Sequence, residues 1–423
     1  MADLHELLRT ETAGLHDRLE RLPYFQALQS GELCKPAIVS LMRSLAIIHA
    51  VLERELSQVA TPGLAELSKR AIAKVPLLIA DLATLGAESV PSVTAAIRGA
   101  LDYGAAILTD ADDPWSLAGV LYVLEGSQKG GVVLQQAYLR CLKINVGQLS
   151  YFGCYGRRTA AHWTDFGAAL DSLRIGTEQA RQVVAAAIRC FQHLETICTA
   201  LHPHASGDLK HHVTAVNFEA GDHAMPQDPR EIALALCAAS TAWKQYPYLE
   251  HRFGGRGRRF TSSDSCWLVA LARMPVEAAT RNLEWLRGVL ASRGIPTVIL
   301  EGHLHAISLA LAAEFAEHVE MPEHYQRFLA KLEAERDALG GGAVQLSHLV
   351  ATFDRRFRSC GGFRVASAAQ LIASGWIDER SGIVGAQAAV VDWFTDPERF
   401  ADDWIANVRL LVSGLDRDAA TPC

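Results

Sequence analysis

The sequence has no excess of positive charge, no closely paired cysteines and few signals for β-strands. Its net charge is −7 over 423 residues, which argues against nucleic acid as the main partner because phosphate binding needs a basic surface. The nine cysteines include no C-x-x-C pair, so a thiolate zinc site is not expected, and their irregular spacing favours a reduced, cytoplasmic setting. Alternating β-branched runs and Asn-Gly turns are nearly missing, so strands should be rare.

Signals for membranes and for several enzyme classes are missing as well. No apolar run reaches about 18 residues, so neither a transmembrane helix nor a membrane partner is expected. The opening MADLHELLRTET carries acidic residues and does not resemble a secretory signal. G-x-S-x-G, P-loop and GxGxxG motifs are absent, which argues against a serine hydrolase and against a built-in flavin or nicotinamide reductase domain.

Helical periodicity dominates the sequence and predicts an all-α protein. Apolar residues at helical spacing predict helices over 3–20, 36–57, 64–87, 92–108, 114–143, 159–173 and 177–201. We therefore predict a multi-helix domain over residues 1–202. Residues 203–229 are rich in His, Pro and Gly and predict a linker. Residues 230–423 are predicted to form a second helical domain of unknown role, subdivided near residue 340.

The first predicted helix carries a histidine that could bind a metal. His16 and Glu20 are four residues apart, so they are neighbours on the helix surface. A carboxylate there can accept one ring N–H and leave the other nitrogen free for a metal. Arg9 lies about two turns earlier on the same face, so this face suits a flat anionic cofactor with a central metal. A surface His–Glu pair without a ligand is the simpler alternative.

Three glycines interrupt the predicted helix over 114–143. They lie in LEGSQKGGVVL, residues 124–134, as Gly126, Gly130 and Gly131. Each interior glycine costs about 0.8–1 kcal/mol relative to alanine, so this helix is weak at its centre. Gly126 and Gly130 are four apart and leave one face without Cβ atoms, which allows close approach to the backbone. Either a crossing helix or a flat ligand would explain them.

Two of these motifs together resemble the haem oxygenase family of bacterial type. LRTETAGLHDRLE, residues 8–20, is followed about a hundred residues later by YVLEGSQKGGVVL, residues 122–134. YFGCYGRRTAAHWTDFGAALDSL, residues 151–173, is similar to the W-x-x-F stretch of bacterial members. The resemblance covers about residues 3–200, the length of a whole catalytic domain, and leaves the C-terminal half unassigned.

The resemblance implies an enzyme that opens the haem ring to biliverdin, carbon monoxide and ferrous iron. Haem would be both substrate and cofactor, and the reaction would consume O2 and electrons. His16 would be the proximal ligand of the haem iron, and Glu20 would hydrogen-bond it. Arg9 would contact a haem propionate.

The resemblance also assigns the glycine stretch to the distal face of haem. Gly126 and Gly130 correspond to distal-helix glycines that lie against the ring, and Gly131 follows directly. Mammalian members carry an aspartate soon after these glycines, and none occurs in LEGSQKGGVVL. The polar residue beside Gly126 is Ser127, whose hydroxyl can hold a water molecule.

The remaining expectations concern partners and competing functions. Electrons should come from an external donor such as a ferredoxin, a flavoprotein or ascorbate. The C-terminal domain could bind a protein partner or form a homodimer. A non-catalytic haem-binding sensor or carrier with the same fold is the main alternative. A non-haem di-iron protein is a further one. His49 and Glu53 are four residues apart on the second predicted helix, but no matching acid–histidine set occurs elsewhere in residues 1–200.

Overall fold

The computed structural model describes residues 3–145, 147, 149–211, 219, 225–339, 343–357 and 362–419. Its elements are almost all α-helices, which confirms the predicted fold class. The chain divides into two compact units, Met1–Cys237 and Ala238–Cys423. The division falls inside a helix, Pro229–Gln245. Of the predicted linker over 203–229, residues 212–218 and 220–224 lie outside the described residues.

The first unit is built from helices with one small sheet. Its helices are α1 (Leu4–Glu20), α2 (Pro23–Ser30), α3 (Lys35–Gln58), α4 (Pro62–Ser68), α5 (Val75–Thr84), α6 (Thr94–Asp110), α7 (Ser116–Ser127), α8 (Gly131–Leu142), α9 (Thr159–Asp171) and α10 (Thr177–Leu201). Strands β1 (Ser92–Val93) and β2 (Leu209–Lys210) pair in antiparallel fashion. Four short 3₁₀ turns complete it: Ala87–Ser89, Gln128–Gly130, Gly156–Arg158 and Ser206–Asp208.

Helix α3 is the core of this unit. By length and composition it is the one described helix that could cross a membrane, and 83% of its apolar window is buried inside the unit. Apolar side chains on most of its faces explain both facts, because a helix that is hydrophobic all round must be covered. The burial is that of a core helix in a folded unit.

Helices α7 and α10 cross at very short range. A Cβ atom on Gly119 of α7 would collide with the carbonyl oxygen of Val183 and approach the amide nitrogen of Ala187, both on α10. Glycine is therefore required for this crossing, as in other helix pairs where small residues bring two backbones together. The crossing fixes α7, and with it the glycine stretch that follows.

The predicted continuous helix over 114–143 is wrong. Helix α7 ends at Ser127, a 3₁₀ turn covers Gln128–Gly130, and α8 begins at Gly131. The apolar pattern continues across this break, which is why periodicity alone predicts one helix. Glycine has a low helix propensity, so a tighter turn can replace α-helix here at little cost. The predicted helix over 64–87 is likewise two helices, α4 and α5.

The second unit is also helical. Its helices, counting the one that spans the division, are α11 (Pro229–Gln245), α12 (Pro247–Leu271), α13 (Val276–Ser292), α14 (Thr297–Glu314), α15 (Glu320–Leu339), α16 (Ala343–Phe357), α17 (Ala368–Arg380), α18 (Ala386–Phe394) and α19 (Asp402–Ala419). Its core contains many aromatic side chains, and Phe400 stacks on Trp404 with ring centroids 5.1 Å apart. Gly254 has φ 52° and ψ −154°, which is not helical, so α12 consists of two helical segments joined at a kink. The glycines at 340–342 lie outside the described residues.

Candidate functional site

The predicted metal ligand, His16, lies near the C-terminal end of α1 with an open imidazole. Its side chain is 57% exposed, and its ring meets Phe191 of α10 edge-on at 6.2 Å between centroids. Nδ1 is 3.8 Å from Oε1 of Glu20, too far for a hydrogen bond but close enough for one to form by a small side-chain movement. The other ring nitrogen has no hydrogen-bond partner among the described residues.

The predicted cation of the same helix, Arg9, is held by a neighbouring carboxylate. Its Nε and Nη2 donate to the two carboxylate oxygens of Glu6 at 2.8 and 2.6 Å. This bidentate contact is exposed, since the two side chains are 66% and 54% accessible. Exposed pairs of this kind exchange easily for other partners, so Arg9 is accessible to an anion.

Helices α1 and α7 meet at the Tyr122 side chain. Its ring lies 6.1 Å from the ring of His5, measured between centroids. Burial raises the pKa of Tyr122, while a hydrogen bond with Thr12 and the charge of Arg9 act against that rise. His16 comes one turn after Thr12, and Gly126 comes one turn after Tyr122. The contact between Thr12 and Tyr122 thus joins α1 and α7 one turn before His16 and one turn before Gly126.

The three glycines of the distal stretch have different surroundings. At Gly126, the space of a Cβ is bordered by the indole edge of Trp163 at 3.2 Å. At Gly130 that space is open, with no heavy atom within 4 Å. At Gly131 it is taken by the carbonyl oxygen of Phe152. Other parts of the chain therefore lie against the backbone at Gly126 and Gly131. Of the three glycines, Gly130 alone faces open space.

The segment around Gly130 presents an apolar surface. Val132 is 45% exposed and Val133 is 75% exposed, although both are large aliphatic residues. Ser127 is exposed as well, and its hydroxyl donates to the carbonyl oxygen of Leu124 at 2.7 Å. Bare backbone, exposed valines and one hydroxyl together suit a flat apolar ligand with a polar edge.

A buried charge network lies directly beside this stretch, and sequence analysis missed it. Glu125 is 1% exposed and accepts hydrogen bonds from Lys74 at 2.5 Å and from Tyr155 at 2.7 Å. His162 Nε2 lies 3.0 Å from the same carboxylate. Burial opposes ionisation of Glu125, but the contacts with His162, Lys74 and Tyr155 hold its pKa below the usual range. The Glu125 carboxylate is thus charged, and all three of these side chains bind it.

This network limits which residues can reach a ligand. His162 is also stacked on Tyr155 with ring centroids 3.7 Å apart, and its side chain is only 12% exposed. Glu125 and His162 therefore serve to hold α7 and α9 together. In the sequence, the spacing of Trp163 and Phe166 was the one indication of this contact between α7 and α9. In the described part of the chain, no group of three or more His, Cys, Asp or Glu side chains is placed to hold a metal ion.

Comparison with known proteins finds a family match in the N-terminal part of the chain. The sequence profile of the family described as "Heme oxygenase" matches residues 2–200, which confirms the resemblance. The match does not extend into the C-terminal half. No curated protein matches the chain.

Two solved structures are each similar to about half of the chain. The heme oxygenase of Leptospira interrogans is 20% identical with a TM-score of 0.42, covering 47% of this chain and 98% of that chain. Heme oxygenase-1 of the cyanobacterium Synechocystis sp., solved in complex with heme, is 18% identical with a TM-score of 0.43, covering 48% of this chain and 93% of that chain.

Proposed function

Because residues 2–200 match the haem oxygenase family, we propose that this part of the chain binds haem and opens its ring to biliverdin, carbon monoxide and ferrous iron. The observation that carries the proposal is the placement of the predicted residues. His16 follows Thr12 by one turn, Gly126 follows Tyr122 by one turn, and Thr12 and Tyr122 are in contact.

The residues present fit haem as a ligand. The imidazole of His16 is exposed, and one of its nitrogens has no hydrogen-bond partner among the residues that the structure describes, which is what an axial iron ligand requires. Gly130 leaves its backbone bare and open, and Val132 and Val133 beside it are exposed. A porphyrin face is flat and apolar, so it would cover this surface. Haem supplies the iron that activates O2, and its own ring is the substrate.

The chain's own residues would then position and orient the haem. His16 would bind the iron through its free nitrogen, and Glu20 would close the 3.8 Å gap to Nδ1 and fix the tautomer. Arg9 would exchange the exposed Glu6 carboxylate for a propionate. Ser127, with an exposed hydroxyl, would hold a water on the distal side. Electrons would come from a separate donor.

The test is optical and uses the full chain. Haemin is added to the purified protein, and ascorbate or a ferredoxin system is then added in air. We expect a histidine-ligated haem spectrum, followed by loss of the haem band and growth of a broad red band from biliverdin. A bound haem that survives the reductant would indicate a sensor or carrier instead. No binding of haemin would reject both functions.

Two variants test the assigned residues. His16→Ala should abolish the histidine-ligated spectrum, whereas His305→Ala, an exposed histidine on α14, should leave it unchanged. Gly130→Leu fills the open space and should weaken haemin binding at least about tenfold, or about 1.4 kcal/mol. That variant should still fold, because Gly130 has φ −85° and a Cβ there meets no heavy atom within 4 Å. Normal haemin binding and turnover by Gly130→Leu would contradict the close-approach argument.

A further inference from the structure

The first unit contains a small cavity that is built from other residues than those assigned to haem. Helices α3, α5 and α6, strand β1 and the first turn of α11 contribute side chains to its lining, and its volume is about 50 Å³. His211 and Gln227 are the exposed residues of the lining, so the cavity opens to solvent on their side. Arg43 lies in its wall, and we call it the Arg43 cavity.

The side chain of Arg43 reaches from α3 to the segment between α5 and α6. Its Nη1 donates to the carbonyl oxygen of Val90 at 3.0 Å and to the hydroxyl oxygen of Ser92 at 2.5 Å, and its Nη2 donates to the carbonyl oxygen of Ala87 at 2.6 Å. All three acceptors are uncharged. These contacts hold the guanidinium in place but leave its positive charge unbalanced.

The guanidinium of Arg43 retains N–H groups for a ligand. Arginine has five such donors, and the contacts above use three of them. Among the described residues, no carboxylate forms an ion pair with this side chain, and burial alone lowers its pKa. A charge that leaves bulk water without a counter-ion is costly, so an anion bound here would relieve that cost.

The rest of the Arg43 cavity is mostly apolar. Its walls include Ile47 of α3, Leu82 of α5, Ile97 of α6 and Ile232 of α11, and the three isoleucines are at most 5% exposed. A space of this size has room for about three or four water molecules, which is similar to the size of a short carboxylic acid. The cavity therefore suits an anion that carries a small hydrocarbon body.

A carboxylate fits the Arg43 cavity better than a phosphate does. Arginine binds a carboxylate through two parallel N–H···O bonds in one plane. A phosphate carries more charge and more acceptor oxygens than a carboxylate. Beyond Arg43, the polar side chains of the lining are Ser92, His211 and Gln227, so most oxygens of a phosphate would face hydrocarbon without a donor.

We propose that the Arg43 cavity binds the anion of a short-chain monocarboxylic acid, with the carboxylate on the guanidinium and the hydrocarbon chain among the isoleucines. The inference stands apart from the proposed haem reaction, because it uses none of the residues assigned to haem. Binding forms no covalent bond. A ligand that binds the folded state alone stabilises it, so the acid should also raise the unfolding temperature of the first unit.

The first test uses the full wild-type chain without haemin. Butyrate, its uncharged isostere butyramide and inorganic phosphate are titrated separately at constant ionic strength. Saturation-transfer NMR follows the two organic ligands, and calorimetry follows phosphate and butyrate. We expect saturable binding of butyrate and at least about tenfold weaker binding of butyramide, because the amide loses the charge-assisted hydrogen bonds.

A substitution at Arg43 tests the polar end of the cavity. Arg43→Gln removes the positive charge and should weaken butyrate binding at least about tenfold. Arg140→Gln is the control, because Arg140 is an exposed arginine on α8 and lies outside the lining. The control should bind butyrate as wild type does.

A substitution at Ile232 tests the apolar end and leaves Arg43 intact. Ile232→Ala enlarges the cavity, so hexanoate should gain affinity relative to butyrate when the variant is compared with wild type. Leu234→Ala is the matched control, because it removes as many atoms from a fully buried position on the same helix outside the lining. It should keep the wild-type preference between the two acids.

Each contrary outcome overturns a stated part of the proposal. No binding of butyrate to wild type would refute the site, and equal affinities for butyrate and butyramide would show that the guanidinium does not anchor the ligand. Phosphate binding at least as tight as butyrate binding would indicate a general anion site and refute the assignment to an apolar acid. If Arg43→Gln does not fold, the comparison of Ile232→Ala with Leu234→Ala decides, and an unchanged preference in both would refute the site.

Discussion

At the scale of single residues, the buried Lys74–Glu125 pair should dominate the stability of the first unit. Both side chains are 1% exposed. Removing one partner leaves a charge in a nonpolar interior, which costs about 3–5 kcal/mol. Lys74→Met should therefore lower the free energy of unfolding by about that amount, as measured by denaturant titration.

The control for this prediction is an exposed pair of similar geometry. Nζ of Lys69 lies 2.6 Å from Oε1 of Glu66, and the two side chains are 69% and 70% accessible. Lys69→Met should produce no measurable change, because water replaces the lost partner. Equal effects of the two substitutions would mean that the Lys74–Glu125 pair is solvated in solution.

The neutral state of His49 predicts a pH dependence of stability. Its pKa is about 3 in the folded protein and about 6.5 in an unfolded chain. Between these values the unfolded state binds more protons, so stability is lost as pH falls from about 6.5 to about 3. This group alone contributes a slope of up to about 1.4 kcal/mol per pH unit.

His49→Gln should flatten that slope. The comparison is made by denaturant unfolding of wild type and variant at several pH values between 4 and 7. Glutamine has no titration in this range, so the two curves should converge as pH falls. Parallel curves would show that His49 is solvated and titrates alike in the folded and unfolded states.

At the scale of helices, Gly119 and Gly14 predict opposite effects of the same substitution. A Cβ on Gly119 collides with the backbone of α10, whereas a Cβ on Gly14 of α1 meets nothing within 4 Å. Gly119→Ala should destabilise by about 1–3 kcal/mol through overpacking. Gly14→Ala should stabilise by about 0.8–1 kcal/mol through helix propensity. Thermal or denaturant unfolding would show whether the signs differ.

The helices themselves show what the sequence could predict. The range 177–201 agrees with α10 at both ends, because a single amphipathic stripe runs without interruption between clear end signals. The break at Gln128–Gly130 was not predictable from periodicity, because apolar residues keep helical spacing through α7 and α8. The choice between α-helix and a 3₁₀ turn depends there on packing against Phe152 and Trp163, which are distant in sequence.

The contacts of the candidate site also divide into those that the sequence could predict and those that it could not. His16, Glu20 and Arg9 share one helix face, so their relation follows from spacing alone. Glu125 and Lys74 are separated by 51 residues, and no local pattern links them. The pair His49–Glu53 was visible as a helical spacing, but its contact with Tyr151, 102 residues further on, required the fold.

At the scale of the whole molecule, the division at Cys237 predicts two unfolding transitions. Haemin should bind the first unit only, and a ligand at about 100 times its dissociation constant stabilises the folded state by about 2.7 kcal/mol. A calorimetric scan with haemin should therefore raise one transition and leave the other unchanged. A joint shift of both transitions would show that the units unfold together.

The Lys74–Glu125 contact also constrains how the chain can fold while it is being made. Lys74 leaves the ribosome 51 residues before Glu125, and His162 follows 37 residues after that. A lone ammonium group cannot enter a nonpolar interior, so the nascent α3–α5 segment must keep this lysine in water meanwhile. Final closure of the first unit therefore has to wait until α7 and α9 have been made.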